Sequence, residues 1–228
     1  MSIEGAVMKR NRKMTGLLTG IIIVGVSCVV FYQPLINYLT LQARKPTGYV
    51  GKVITKIWSG YFRDLSEWTF SLVDIDEQNT ILDVGFGGGA NIKYIKEHNN
   101  ECVVYGVDIS DEAVNTATEL NQKYVDSGEA ILSVDDVSCL PFEDELFDLI
   151  VATQTHIYWE ELEKGLLECR RALKQNGTLL ITTEIDKLEY HLSEYVNQDD
   201  FVSLLYKLGY SKADVKISNN YVGFICKK

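Results

Sequence analysis

The residues best suited to chemistry form a glycine-rich segment, Asp83-Val-Gly85-Phe-Gly87-Gly-Gly89, between a predicted strand and a predicted helix. Glycines let the backbone turn tightly and approach a ligand closely, because no Cβ stands in the way. At the start of a helix, such a loop offers N–H donors to a negatively charged group. The spacing also comes close to the fingerprint of dinucleotide-binding folds, so the glycines alone do not choose the cofactor.

Two acids stand at the ends of the first two predicted strands. A carboxylate at Asp83 would repel a pyrophosphate, whereas it suits a cofactor that carries an ammonium group. Asp108 ends the segment Val104-Tyr-Gly-Val-Asp108, where a carboxylate can accept hydrogen bonds from both ribose hydroxyls. Both classes of cofactor use an acid at that place, and a solvated acid at a helix start is the alternative. Asp108 therefore predicts nucleoside binding without identifying the cofactor.

A third acid follows the third predicted strand, four residues before Leu140-Pro-Phe142. An acid in this arrangement has no counterpart in dinucleotide-binding folds. The Asp136 carboxylate could accept a hydrogen bond from an adenine amino group, and the Val137 N–H could donate to a ring nitrogen. Asp135 is the less favoured of the adjacent pair, because the spacing to Leu140 favours Asp136.

Candidate residues for a second substrate follow the fourth predicted strand, in Thr153-Gln-Thr-His156-Ile-Tyr158-Trp159. His156 is a candidate general base, since loops after strands commonly carry such groups. The alternative is that His156 packs beside Trp159 or orients the loop. Tyr158 is a second catalytic candidate, and with Trp159 it is expected to wall the pocket. The sequence shows no cluster of metal ligands, and no metal is expected.

The elements that must position these residues alternate between short apolar runs and helical patterns. This alternation predicts an α/β fold with a doubly wound, mostly parallel sheet of about seven strands, in which ligands bind at the carboxyl ends of the strands. A C-terminal antiparallel hairpin completes the predicted sheet. The predicted strands are Thr80–Val84, Val103–Val107, Ala130–Val134, Phe147–Ala152, Gly177–Thr183, Ala213–Ile217 and Tyr221–Cys226. The predicted helices are Ala90–Glu97, Asp111–Tyr124, Trp159–Leu173 and Phe201–Leu208, the last capped by Asp199 or Asp200.

The composition limits the partners. The formal net charge is −10, and basic residues concentrate near the N-terminus, so the rest of the chain is more acidic still. Such a surface repels phosphate backbones, and nucleic acid is not an expected substrate. The five cysteines show no Cys-x-x-Cys spacing, which favours a reducing compartment over a zinc site or a disulfide framework. A small molecule is the expected partner, and the oligomeric state is left open.

Together these motifs resemble the class I S-adenosylmethionine-dependent methyltransferase family, in its small bacterial type. The resemblance runs from about residue 46 to the C-terminus. Its departures are a hydrophobic N-terminus and Gln175-Asn176, where the family usually has Pro-Gly before the fifth strand. The motifs that carry it are Asp83-x-Gly85-x-Gly87-x-Gly89, Asp108, Asp136 with Leu140-Pro-Phe142, and Leu173-Lys-Gln-Asn-Gly177-Thr-Leu-Leu.

The resemblance implies a Rossmann-like fold, S-adenosylmethionine as cofactor, and direct displacement of its methyl group by a small-molecule or lipid-like acceptor. It implies that the loop from Gly85 through Phe86 to Gly89 cradles the methionine part of the cofactor. Asp108 would hold the ribose, Asp136 and Val137 the adenine, and the backbone near Ala152 and Thr153 the amino-acid end; Ile109 is a further cofactor-binding candidate. The alternatives are a nucleotide-cofactor (NAD-type) oxidoreductase and an inactive cofactor-binding scaffold.

The N-terminal segment, 1–43, is unlike the rest. A basic stretch, Lys9-Arg-Asn-Arg-Lys13, is followed by no charged residue before Arg44. Such a run is long enough for one membrane-spanning helix, for which about 20 residues suffice. The sequence therefore predicts an N-terminal hydrophobic helix that anchors a cytoplasmic catalytic domain, 44–228, whose first part, 44–78, forms a helical lid. A signal peptide, a buried core helix and a purely cytoplasmic protein are the alternatives.

Overall fold

The computed structural model describes residues 32, 34–42, 44–76, 79–99 and 101–228. The chain divides into two compact units, Met1–Arg44 and Lys45–Lys228. In the first unit, residues 34–42 are helical, and the predicted N-terminal hydrophobic helix lies mostly outside the described residues. Within the part of the chain that the structure describes, no helix has the length and apolar character needed to cross a membrane.

The second unit contains a seven-stranded sheet in the order β3-β2-β1-β4-β5-β7-β6. Neighbouring strands from β3 to β5 are parallel, and β7 runs antiparallel to both β5 and β6. This confirms the predicted Rossmann-like sheet with its C-terminal hairpin, and it adds that the second hairpin strand lies between β5 and β6. The strands are β1 Thr80–Val84, β2 Val103–Asp108, β3 Ala130–Val134, β4 Phe147–Thr153, β5 Leu173–Glu184, β6 Lys212–Ser218 and β7 Tyr221–Lys227.

Helices cover both faces of this sheet because successive side chains of a strand point to opposite faces. In β1, Leu82 packs in one apolar cluster with Leu166 and Phe201, which lie on α6 and α8. The preceding residue, Ile81, packs in the other cluster with Ile92 of α3. The helices are α1 Gly48–Tyr61, α2 Arg63–Phe70, α3 Ala90–His98, α4 Asp111–Leu120, α5 Gln122–Asp126, α6 Leu162–Ala172, α7 Ile185–His191 and α8 Gln198–Lys207.

Several predicted boundaries need correction. The helix predicted over Asp111–Tyr124 is interrupted at Asn121, whose fully buried side-chain amide donates to the carbonyls of Gly89 and Ala117. The helix predicted from Trp159 begins only at Leu162. A 3₁₀ turn, His156–Tyr158, stands before it.

The strand predicted from Gly177 begins instead at Leu173, which pairs with Phe147 beside a register shift. The Gln175-Asn176 departure lies within this strand, where Asn176 has a φ of +64°.

The cap predicted at Asp199 or Asp200 is Asn197, since its side chain accepts a hydrogen bond from the Asp199 N–H. The two acids lie in the first turn of α8, where the helix dipole stabilises negative charge.

The segment after β3 is held in place by Arg171 of α6. Its guanidinium donates to the backbone carbonyls of Leu140 and Phe142, at 3.1 and 2.8 Å, and to the carboxylate of Glu168. The planar guanidinium has five N–H donors in a fixed arrangement, so one side chain can meet several acceptors at once. Arg171 thereby fixes the loop that carries Asp136 against the sheet.

Candidate cofactor and acceptor site

The candidate site lies where the strand order reverses. β1 pairs with β2 on one side and with β4 on the other, so the loops after β1 and β4 leave the sheet beside each other. In doubly wound sheets, ligands bind in the crevice outside the carboxyl ends of the strands at this point. The glycine loop follows β1, and the segment with His156 follows β4.

The glycine loop needs glycine for two different reasons. Gly85 has a φ of +71°, and a Cβ there would lie 2.6 Å from the Thr155 side chain. Its N–H donates to the carbonyl of Val107 at 2.7 Å, which ties the loop to β2. Gly87 has a φ of +54°, but a Cβ there would meet no atom within 4 Å. The loop therefore leaves open space beside Gly87.

The remaining predicted residues of the loop are packed rather than open. Phe86 is buried in the apolar cluster that contains α3 and α4. Gly89, with a φ of +77°, takes the N-cap position of α3. A Cβ on Gly89 would lie 2.6 Å from the Asn121 amide and 2.7 Å from the Ala117 Cβ.

Asp108 organises the backbone around it. One carboxylate oxygen accepts the Gly87 N–H at 3.0 Å, and the other accepts the Ser110 N–H at 3.0 Å. Burial raises the pKa of Asp108 to about 6, although these two hydrogen bonds and the nearby Lys45 act in the opposite direction. Each carboxylate oxygen can accept more than one hydrogen bond, so Asp108 retains capacity for two ribose hydroxyls. Ile109 follows it and is half-buried.

Asp83 is an acid of the candidate site whose carboxylate is buried. Its side chain is 1% exposed, and neither carboxylate oxygen is in standard hydrogen-bond geometry with a partner. Burial raises the pKa of Asp83 to about 7, the Asp108 charge adds to that rise, and the nearby Asn91 amide opposes it. A buried carboxylate without a cation is costly to ionise, so this position favours a ligand that brings positive charge.

The predicted adenine-binding pair lies after β3. Asp136 is exposed and caps a 3₁₀ turn, Val137–Cys139, by accepting the Ser138 N–H at 2.8 Å. Val137 is buried in the apolar cluster that contains α6. The N–H of Asp135 donates to the Asp108 carbonyl at 3.1 Å, which joins this turn to the end of β2.

The candidates after β4 separate into two environments. Thr153 is buried at the end of β4, and its hydroxyl has no partner. His156 is 0% exposed, both ring nitrogens lack partners, and its ring lies near those of Trp159 and Phe201. Burial lowers the pKa of His156 to about 3. Tyr158 is half-buried, and its ring contacts that of His191 at 4.7 Å.

Three further residues were not singled out as site residues from the sequence. Gln154 directly follows β4, Glu184 ends β5, and Tyr61 ends α1. The Tyr61 hydroxyl donates to one Glu184 carboxylate oxygen at 3.2 Å. Gln154 and Glu184 could have been identified from their positions, because they stand at the carboxyl ends of predicted strands, where such sheets bind ligands. Within the described ranges, no group of three or more His, Cys, Asp or Glu residues is arranged to hold a metal ion.

Residues 82–181 match the family model described as a methyltransferase domain. A phosphoethanolamine N-methyltransferase of Plasmodium falciparum is 28% identical over 161 residues, which cover 68% of this chain and 58% of the relative. A malonyl-[acyl-carrier protein] O-methyltransferase of Geobacter sulfurreducens is 31% identical over 101 residues, 44% of this chain and 37% of the relative. The chain thus spans less than two thirds of the length of these relatives.

Solved structures show the same fold. A methyltransferase from Aquifex aeolicus, described as dependent on S-adenosylmethionine, has a TM-score of 0.66 at 21% identity and covers 77% of this chain and 97% of its own. The fold, the glycine loop and the family match define a methyltransferase domain of the Rossmann-like type. Residues 82–181 thus form a methyltransferase domain, and the chain is similar to class I S-adenosylmethionine-dependent methyltransferases.

The cofactor of this family is S-adenosylmethionine, and the residues present fit it. The cofactor carries an ammonium group, which suits the uncompensated carboxylate of Asp83. Its ribose hydroxyls suit the remaining acceptor capacity of Asp108. The open space beside Gly87 lets a ligand approach the backbone closely.

We expect cofactor binding to depend on pH through Asp83. Free protein holds a proton on Asp83 below about pH 7, whereas a bound ammonium group favours the ionised carboxylate. Binding therefore releases protons, and affinity for S-adenosylhomocysteine should rise between about pH 5 and pH 7. Each carboxylate that loses its proton on binding contributes a rise of up to about tenfold per pH unit. Asp108, with its pKa at about 6, contributes in the same direction at the lower end.

Calorimetry in buffers of different ionisation enthalpy measures both the affinity and the protons released. Asp83→Asn should retain the fold, because Asp83 is largely neutral below pH 7, and should lose most of this pH dependence. Equal slopes for the wild type and Asp83→Asn would contradict the assignment.

Proposed function

We propose that this protein transfers the methyl group of S-adenosylmethionine to a small-molecule or lipid-like acceptor by direct displacement. The observation that carries the proposal is the buried, uncompensated carboxylate of Asp83 beside a glycine loop that is open at Gly87. A dinucleotide would bring negative phosphates toward this carboxylate, which disfavours the NAD-type oxidoreductase. The second candidate is an inactive scaffold that binds the cofactor. Measured methyl transfer would exclude it.

The proposed residue roles follow from position and donor type. Asp83 holds the ammonium end of the cofactor, and the open loop at Gly87 admits its methionine part. Asp108 accepts the ribose hydroxyls, with Ile109 beside it, while Asp136 and the Val137 N–H bind the adenine. Thr153, whose buried hydroxyl lacks a partner, contacts the amino-acid end.

When bound, the cofactor supplies an electrophilic methyl group on a sulfonium centre. The chain then has to orient an acceptor atom in line with that methyl group and exclude water, and such positioning accounts for much of the catalysis in reactions of this kind. The names of the relatives include an N-methyltransferase and an O-methyltransferase. They therefore support methyl transfer without selecting the attacked atom.

The loop proposal is tested by Gly87→Ala with Gly128→Ala as the matched control. Both glycines have positive φ, and a Cβ at either position meets no atom within 4 Å. Each substitution should therefore cost about 1–2 kcal/mol of unfolding free energy. Only Gly87→Ala places a methyl group in the proposed cradle, so only it should weaken S-adenosylhomocysteine binding, by about tenfold or more.

Urea denaturation and calorimetry on the three proteins measure these quantities, and methyl-labelled cofactor incubated with cell extract measures transfer. Unchanged affinity in a folded Gly87→Ala protein would remove the loop from the cofactor site. Wild-type protein that binds no cofactor would remove the proposed function itself.

We further propose that His156 packs the core and does not act as a base. A fully buried imidazole with a pKa of about 3 is a weak proton acceptor at neutral pH. Replacing an unpartnered buried polar group by an apolar one of similar size is often neutral or stabilising. His156→Leu should thus keep the unfolding free energy and change methyl transfer by less than about threefold.

A general base would behave differently, since its loss typically costs about 10²-fold or more in turnover. A drop of that size in His156→Leu, with cofactor affinity retained, would restore the catalytic role. Tyr158, half-buried and in contact with His191, is proposed to wall the acceptor pocket.

Attachment to a membrane through the N-terminal segment is a proposal that rests on sequence alone. Its support is the absence of charged residues from Met14 to Ala43 behind a basic cluster. Because the cofactor is made in the cytosol, the catalytic domain would lie on that side. The full-length protein should then resist extraction by high salt and dissolve in detergent, whereas protein lacking residues 1–43 should be recovered without detergent and still bind cofactor. Recovery of the full-length protein in the soluble fraction, or its release by salt alone, would contradict the anchor.

A further inference from the structure

The carboxyl ends of β4 and β5 carry polar side chains that the proposed cofactor roles do not use. Gln154 and Glu184 are 6% and 7% exposed. They are joined across the two strands, because the Gln154 side-chain oxygen accepts the Glu184 N–H and the Thr183 hydroxyl, both at 2.8 Å. We call Gln154, Glu184, Tyr61 and Tyr158 the strand-end cluster.

Two buried polar atoms of this cluster lack partners. The two hydrogen bonds to the Gln154 oxygen fix the orientation of its amide, and the nitrogen at the other corner has no partner. One Glu184 oxygen accepts the Tyr61 hydroxyl at 3.2 Å, and the other has no partner. Buried polar groups are nearly always paired in folded proteins. Unpartnered atoms at a strand-end crevice therefore indicate where the donors and acceptors of a ligand fit.

The charges around Glu184 favour a cation. Burial raises the pKa of Glu184, and the Asp186 charge adds to that rise. Lys187 acts in the opposite direction, but its ammonium lies 3.5 Å from the Asp186 carboxylate. The negative charge of Glu184 raises the pKa of Tyr61, and it adds to the rise that burial causes in the pKa of Tyr158. Both phenols therefore lie within its field.

We propose that the methyl acceptor is an amine, held as an ammonium by the free Glu184 oxygen, with Tyr61 and Tyr158 close by. This inference rests on the proposed methyltransferase function. Carboxylates and aromatic faces both attract ammonium groups. The Gln154 amide nitrogen then donates to an oxygen elsewhere on the acceptor.

The geometry also gives Glu184 a chemical role. An ammonium nitrogen has no free electron pair, so Glu184 first takes one proton from it. The freed pair forms the new nitrogen–carbon bond while the bond between the methyl carbon and sulfur breaks, and those electrons neutralise the sulfonium charge. The product amine carries the positive charge, and the proton on Glu184 passes to solvent.

Other acceptor classes fit the cluster less well. A carboxylate acceptor would bring a second negative charge to an already buried one, which is unfavourable. An alcohol is far too weak an acid to lose its proton to a carboxylate in the ground state. An amine alone among these is both attracted and activated by Glu184.

The test uses full-length protein, methyl-labelled S-adenosylmethionine, and a panel of primary amines, each paired with the alcohol and the carboxylic acid of the same carbon skeleton. Wild-type protein should place the label on nitrogen. Glu184→Gln keeps the side-chain size but removes the charge, and it should lower transfer about 10²-fold or more with affinity for S-adenosylhomocysteine retained. Glu189→Gln changes an exposed carboxylate on α7, the helix that directly follows Glu184; it is the matched control and should behave as wild type.

The pH profile separates chemistry from packing. At a saturating concentration of S-adenosylmethionine, which removes the effect of Asp83 and Asp108 on cofactor binding, wild-type kcat/KM for the amine should fall toward low pH as Glu184 becomes protonated. Glu184→Gln should lose that dependence along with its rate. Label on oxygen, sulfur or carbon, unchanged transfer by Glu184→Gln, or no amine labelling by cofactor-bound wild type would each overturn the amine inference. All three leave the proposed function standing, whereas wild-type protein without cofactor binding removes both.

Discussion

The buried carboxylate of Asp108 is the interaction on which the rest of the site depends. By accepting the N–H groups of Gly87 and Ser110, it fixes the glycine loop and the start of α4 together. Gly87 reaches this bond at a positive φ, which is costly for residues with a Cβ. The Ser110 hydroxyl in turn donates to the Pro46 carbonyl and accepts the Ala113 N–H. One carboxylate thus connects the loop, a helix cap and the segment leading into α1.

That network does not supply a partner for the Asp83 carboxylate, and other buried polar groups along this edge of the sheet also lack one. Asp83, Thr153, Gln154 and Glu184 stand at the ends of β1, β4 and β5, and each has a buried atom without a partner. An unmade buried hydrogen bond costs about 1–3 kcal/mol. Ligand atoms that pair with these groups would offset such a cost and favour binding to the folded protein.

The sequence predicts the parts of this arrangement whose residue types are unusual for their position. Glycines at Gly85 and Gly87, an acid at Asp108 and the apolar strands all have local signatures. Asn121 has no local signature. It interrupts the helix because its buried amide donates to the carbonyl of Gly89, which is distant in sequence.

Glu184 and Gln154 are ordinary residues in the sequence. They become candidate site residues because they pair across two strands and are buried from water. Both properties arise only when the sheet has folded, so the sequence does not reveal them. Conversely, His156 is a conspicuous residue in the sequence, yet the structure surrounds it with aromatic side chains.

Thr155 links the proposed cofactor side of this edge to the proposed acceptor side. Its hydroxyl donates to the Val84 carbonyl at 2.9 Å, and its methyl group occupies the space that a Cβ on Gly85 would need. The preceding residue, Gln154, has a φ of +60°, a conformation that non-glycine residues rarely hold. This strain turns the Gln154 amide toward Glu184 while Thr155 stays against the glycine loop. In-line transfer needs reacting atoms about 3–3.5 Å apart, and a rigid tie between the two loops is a direct way for the fold to set that distance.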